Sequence, residues 1–134
     1  MLSLKAMEPI KIIECPRDAM QGIKTFIPTA RKVSYIQALL RVGFDSIDFG
    51  SFVSPKAIPQ MQDTAAVLDQ LDLSKTDSKL LAIIANVQGA KDAASHEPIQ
   101  YLGFPFSISE NFQMRNTHKT IAESLVTLQE ILEI

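Results

Sequence analysis

The sequence predicts an α/β fold on a parallel sheet, built from four successive βα units. From Pro9 onward, short apolar, β-favouring runs alternate with longer segments of helical period. Polar residues able to do chemistry gather directly after each apolar run. One run, Leu80-Leu81-Ala82-Ile83-Ile84-Ala85, is almost wholly apolar, as expected of a strand covered on both faces.

The first strand is Lys11-Ile12-Ile13-Glu14, followed by a loop over 15–26 and a helix introduced by Pro28 and Thr29, whose hydroxyl is placed to cap it. Val33, Ile36, Leu39 and Leu40 recur on one helical face, and Gly43 supplies the left-handed residue beyond the helix end. Strand two is Ser46-Ile47-Asp48-Phe49, running into Gly50-Ser51 and a loop with Pro55 and Pro59. A helix over 64–71 carries Ala65, Leu68 and Leu71, and strand three covers 80–85. Residues 86–95 are Ala-rich and helical, and 99–106 form strand four with Pro105 near its end. The last helix opens on Thr120-Ile121-Ala122-Glu123, a capping box, and its apolar face is read as Ile121, Leu125, Leu128 and Leu132. Residues 1–8 read as an N-terminal extension, too short for a signal peptide, ahead of one domain over 9–134.

Composition narrows the function classes. The 134 residues are 46% hydrophobic and 21% charged, the balance of one globular unit. Thirteen basic and fifteen acidic residues are spread without blocks, which argues against a nucleic-acid or membrane-surface partner. No apolar run reaches the ~18 residues that a membrane-spanning helix needs. The single cysteine, Cys15, excludes an internal disulfide, and His96 and His118 lie far from any Cys-x-x-Cys element, so a reducing, cytoplasmic setting fits.

The chemistry sits at the strand ends: Glu14, Arg17 and Asp18 after strand one, Asp48 and Ser51 at strand two, Asn86 after strand three, and Ser107 to Glu110 after strand four. This is the C-terminal rim of a parallel sheet, where loops aim side chains at one point. Taken singly, an Arg-Asp pair or a loop serine is most often a surface or capping feature; four strand ends agreeing shifts the balance. The residues alone suggest a carboxylate-plus-Arg site for a small anionic substrate, with a hard metal ion left open because Asp18 is one oxygen ligand where Mg²⁺ or Mn²⁺ needs more.

Three segments carry a family resemblance. Pro16-Arg17-Asp18-Ala19-Met20-Gln21 resembles the Pro-Arg-Asp-Gly-x-Gln signature of acyl-CoA lyases and synthases. Ser51-Phe52-Val53-Ser54-Pro55-Lys56-Ala57-Ile58-Pro59-Gln60-Met61 is similar to a block that separates hydroxymethylglutaryl-CoA lyase from its synthase relatives. Ser109-Glu110, Phe112, Asn116 and Thr120-Ile121 with Glu123-Ser124 resemble the loop and helix after that lyase's fourth strand. The resemblance covers 9–134 and implies the first four βα units of a (β/α)8 TIM barrel, a half-barrel and an incomplete copy.

It implies the following roles. The lyase performs metal-assisted retro-Claisen cleavage of 3-hydroxy-3-methylglutaryl-CoA to acetyl-CoA and acetoacetate. Arg17 is then catalytic and substrate-binding, Asp18 a ligand of Mg²⁺ or Mn²⁺, and Asp48 catalytic where the family commonly has Glu. Gln21, Ser51 and Glu14 line the substrate site, with Glu14 equally an orienter of Arg17. Asn86 is a substrate contact or, more often for such a residue, a helix start. Ala19 departs from the family's Gly, and the later His and Asn metal ligands are absent from this sequence, so the chain alone is expected to be inactive. The alternative is a non-catalytic half-barrel that binds acyl-CoA or pairs with itself through open sheet edges.

Overall fold

The computed structural model describes residues 9–134; the N-terminal extension assigned to 1–8 lies outside the described residues. Four strands, β1 (Ile13–Glu14), β2 (Ser46–Ser51), β3 (Lys79–Ile83) and β4 (Ile99–Gly103), form one sheet in the order β1-β2-β3-β4. Every neighbouring pair is parallel. Helices α1 (Pro16–Gln21), α2 (Thr29–Leu40), α3 (Thr64–Leu68), α4 (Val87–Ala94), α5 (Glu110–Thr117) and α6 (Ile121–Leu132) connect or follow the strands. A 3₁₀ turn, Pro59–Met61, precedes α3. No helix among the described residues is long and apolar enough to cross a membrane.

Helices cover one face of the sheet. Ile36 and Leu40 of α2 and Val67 and Leu68 of α3 bury against Ile47 and Phe49 of β2 and Leu80 and Ala82 of β3. Ala90 and Ala93 of α4 and Ile131 of α6 pack with Ile84. The expectation that strand three is covered on both faces is corrected: Leu80 and Ala82 are buried, while Leu81 and Ile83, which alternate with them, are only half-buried. Successive residues of a strand point to opposite sides, and the packed helices cover one side only.

Two irregularities shape the sheet. One residue is inserted in β2 between Asp48 and Gly50, and one in β4 opposite Leu80 and Leu81. At the second, the Leu80 amide donates to the Gln100 side chain at 2.7 Å, which replaces the lost ladder bond. Such bulges re-aim side chains near rims. Gly50 follows the first bulge, and a Cβ there would run into the Thr64 side chain.

Several local expectations are revised. Residues 15–26 are not wholly loop, because Pro16 occupies the first turn of α1, where its fixed φ fits and its missing N–H costs nothing. β1 ends at Glu14 as read but starts at Ile13 rather than Lys11. Thr29 does not cap α2: Pro28 is the N-cap, and the Thr29 hydroxyl donates to Asp63 Oδ2 at 2.7 Å. Gly43 does take the left-handed conformation, at φ 87°. Strand four stops at Gly103, and of residues 107–110, read as rim polar groups, Ser109 caps α5 by accepting from the Phe112 amide and Glu110 is its first residue. That helix is anchored by buried Gln113, whose side chain accepts from the Ser107 amide and donates to Ser124 Oγ at 2.6 Å.

The capping box at Thr120 and Glu123 forms as read. The buried face of α6, however, is Ser124, Thr127 and Ile131, while Leu125 and Leu132 are exposed. Ser124 is turned inward by Gln113, and this rotates the apolar stripe away from the packed side.

Gly50→Ala is expected to lower stability by about 1–3 kcal/mol, the usual cost of overpacking, with Thr64→Ser recovering part of it by removing the methyl that the new Cβ meets. Chemical denaturation of the single and double variants measures both changes.

Candidate functional site

Asp48 lies between Ile47 and Phe49, whose side chains enter the core under the helices, so its carboxylate points to the other face of β2. It is only 4% exposed there. A carboxylate held in a central strand away from water needs a charged partner, and α1, which packs on β2, brings one. Arg17 Nη2 donates to Asp48 Oδ2 at 2.6 Å, and Arg17 Nε donates to Oδ1 and Oδ2 at 3.2 and 3.1 Å.

The same guanidinium reaches back along its own helix. Arg17 Nη1 donates to Asp18 Oδ1 at 3.1 Å and to Gln21 Oε1 at 2.9 Å, while Gln21 Nε2 donates to Asp18 Oδ1 at 2.9 Å. The four residues thus form one network, with Arg17, Asp18 and Gln21 bonded in a ring and Asp48 joined through Arg17, in which one N–H of Arg17 Nη2 carries no protein bond among the described residues. Burial pushes the Asp48 carboxyl above its ordinary value, and the hydrogen bonds and charge of Arg17 pull it back only in part. Burial works to lower the Arg17 value, but the contacts with Asp48 outweigh it and raise it. The arginine therefore stays charged, and Asp48 is a more basic carboxylate than an exposed one.

Asp18 is mostly open to solvent, with its side chain 66% exposed. Its Oδ1 is taken by Arg17 and Gln21, leaving Oδ2 open. Among the described residues no group of three or more His, Cys, Asp or Glu stands close enough to hold a metal ion. Hard divalent cations take about six oxygen ligands, so Asp18 with its neighbours does not make up a complete site.

Of the residues singled out in the sequence, Arg17, Asp18, Gln21 and Asp48 come together. Glu14 is half-buried on β1 opposite Ile47, one residue from Asp48 in sequence, with no side-chain hydrogen bond recorded to Arg17. Ser51 and Asn86 are elsewhere: both line an open cleft of about 420 Å³ beside Phe52, Ser54, Gln62 and Gly89. Ser51 is buried, and its hydroxyl accepts from the Val53 amide at 3.2 Å. Asn86 caps α4, its Oδ1 accepting from the Gly89 amide at 2.8 Å, which is the helix-start reading.

Cys15 is exposed, and burial of its sulfur, with Asp48 next in effect, raises its thiol value, the wrong direction for a nucleophile. His118 is exposed as expected of a solvated residue, whereas His96 is half-buried with its ring 5.4 Å from that of Phe52. Sequence reasoning missed the buried Lys32, whose Nζ donates to the Gln60 carbonyl and to Asp63 Oδ1 and lies 4.1 Å from the Phe26 ring centre. Its only sequence signal was a lysine set among apolar residues on the inward face of a helix.

No family model matches the chain. Individual proteins do. It is 36% identical over 118 residues to the mitochondrial hydroxymethylglutaryl-CoA lyase of Arabidopsis thaliana, a match covering 87% of this chain and 25% of that protein. With the cytoplasmic 3-hydroxy-3-methylglutaryl-CoA lyase of Danio rerio it shares 35% identity over 126 residues, 92% of this chain and 36% of that protein. The HMG-CoA lyase from Acinetobacter baumannii, solved in complex with coenzyme A and 3-methylmalate, superposes with a TM-score of 0.85 at 35% identity, over 92% of this chain and 40% of that one. The Pseudomonas aeruginosa hydroxymethylglutaryl-CoA lyase superposes at 0.84 with 31% identity, over 92% and 41%. The chain thus spans about a quarter to two-fifths of the length of the relatives it matches. In sequence and fold the chain matches an N-terminal region of the hydroxymethylglutaryl-CoA lyases, as a half-barrel of four βα units.

Proposed function

We propose that the chain carries the arginine-carboxylate part of a hydroxymethylglutaryl-CoA lyase active site, in which Arg17 binds the acyl-CoA substrate and Asp48 handles its proton. The carrying observation is the pairing of Arg17 with the buried carboxylate of Asp48 on β2, flanked by Asp18 and Gln21.

The reaction is retro-Claisen cleavage of 3-hydroxy-3-methylglutaryl-CoA. A base takes the tertiary hydroxyl proton, the bond between that carbon and the thioester's α-carbon breaks, the oxygen's electrons form the ketone of acetoacetate, and the released enolate of acetyl-CoA is protonated. Asp48 Oδ1 suits the first step. It accepts only the 3.2 Å bond from Arg17 Nε, so a lone pair remains, and burial makes the carboxylate more basic.

Arg17 suits the developing charge, since its guanidinium stays ionised and has an N–H to direct at an oxyanion or a substrate carboxylate. Gln21 and Asp18 fix its other edge. Glu14, on the strand end beside this cluster, is assigned to lining the site. Ser51 and Asn86, in the neighbouring cleft, are assigned to the acyl or coenzyme portion rather than to the reacting atoms. The Asp18 carboxylate is the one oxygen donor offered to a divalent cation; the described residues do not complete its shell, and no step is derived through a metal.

Calorimetric titration of the 134-residue chain with 3-hydroxy-3-methylglutaryl-CoA, with acetoacetate release scored in the same samples, tests the reading. Saturable binding that Arg17→Gln weakens about tenfold or more, the worth of a charge-assisted bond, supports it. Absence of binding, or binding indifferent to Arg17, overturns it.

The Asp48 carboxyl is expected to titrate above the ordinary aspartate range in carbon-detected NMR, and higher still in Arg17→Gln, where the bonds and charge that lower it are gone. A titration in the ordinary range in both proteins would remove Asp48 as the base.

A further inference from the structure

The buried cluster around Lys32 has no part in the chemistry above, yet it touches the segment on which that chemistry depends. Lys32 is 2% exposed. Its ammonium bonds the Gln60 carbonyl and, at 2.5 Å, Asp63 Oδ1, while Asp63 Oδ2 accepts from Thr29. The Gln60 side chain, also buried, grips three backbone atoms of the stretch between α1 and α2: its Oε1 accepts from the Ile27 amide at 2.8 Å, and its Nε2 donates to the Ile23 and Thr25 carbonyls at 2.9 and 3.0 Å.

Nothing local holds α1 in place. It has six residues and no side-chain cap at its N-terminus, far too short to be stable by itself. Beyond its contact with β2, it packs on the Pro59–Met61 turn that contains Gln60. Buried ion pairs gain little stability over apolar residues of the same volume, and positional specificity is their better-attested use. From these contacts we infer that Gln60, with Lys32 and Asp63 behind it, is a positioning residue for Arg17. It ties the return path of the chain so that α1 presents the guanidinium to Asp48. This rests on the proposed role of Arg17 for its functional meaning, though the positioning itself does not.

The test follows exchange of the Arg17 side-chain Nε–H with solvent by NMR in the full 134-residue chain. Gln60→Met keeps the volume and the main-chain contact with Lys32 but removes all three bonds to the 23–27 stretch. It is expected to speed Arg17 exchange about tenfold, as local opening loses a hydrogen-bonded anchor. Ile131→Val, a core cut in the other hydrophobic cluster, serves as the control for general loosening. Should Gln60→Met fail to fold, Thr29→Val, which cuts only the outer bond to Asp63, takes its place with a smaller change in the same direction.

Faster exchange in the clamp variant and not in Ile131→Val bears the inference out. Equal effects in both, or none in the clamp variant, overturn it. A chain that binds no acyl-CoA yet shows the clamp effect keeps the positioning role and loses the proposed function; one that binds through Arg17 without the clamp effect does the reverse.

Discussion

The buried carboxylate of Asp48 is the constraint from which the arrangement of this chain follows. A charge on a central strand with 4% of its surface exposed costs several kcal/mol unless a partner reaches it. The nearest chain able to supply one is the segment leaving β1, and it does so as a helix whose first turn bears Arg17. Once α1 is committed to β2, the chain has to return to α2 along a fixed path. Gln60 and Lys32 hold that path. The electrostatics of one residue of β2 thus bears on the course of α1 and α2, the two helices before it.

Two buried charge pairs sit close together in this structure, and they differ in kind. Lys32 and Asp63 are enclosed, and each is bonded to backbone or to a short hydroxyl that orders the chain. Arg17 and Asp48 meet on the face of β2 away from the core helices, with an uncommitted N–H on the arginine among the described residues, a lightly bonded oxygen on the aspartate and an open carboxylate oxygen next door on Asp18. Spare hydrogen-bonding capacity next to the exposed Asp18 carboxylate is what the proposed reaction needs, whereas the Lys32 ammonium lies against the Phe26 ring and the Gln60 carbonyl. The proposed chemical and scaffolding roles are divided on that ground.

The sequence made the parallel sheet legible because short apolar, β-favouring runs and period-3.6 segments alternate, and the Thr120 capping box is a local signal that depends on four adjacent residues only. What it hid was long-range. Gln113 turns α6 by binding Ser124, eleven residues away, and no periodicity in α6 records that. Thr29 looked like a cap because its neighbours fit one, but Asp63 offered its hydroxyl a stronger acceptor. Arg17, Asp18 and Asp48 were anticipated from strand-end placement and Gln21 only from the family resemblance, whereas Ser51 and Asn86, equally well placed along the sequence, turned into another cleft.

Under the proposed function, Asp48 stands where the resemblance to the lyases implies the longer glutamate, and base and arginine are both retained. With one methylene fewer, the carboxylate stays close to the strand, and Arg17 meets it with both Nε and Nη2. In the proposed reaction this couples two events. When Asp48 accepts the hydroxyl proton it loses the charge that holds three of the arginine's contacts, and those donors weaken their hold on it. At that same moment negative charge is passing from the substrate oxygen to the departing enolate, the species a released guanidinium edge can stabilise. A base whose protonation frees its own electrophilic partner needs no large motion, only a partner kept within reach by its other edge, and the Gln21 and Asp18 bonds to Nη1 supply that tether.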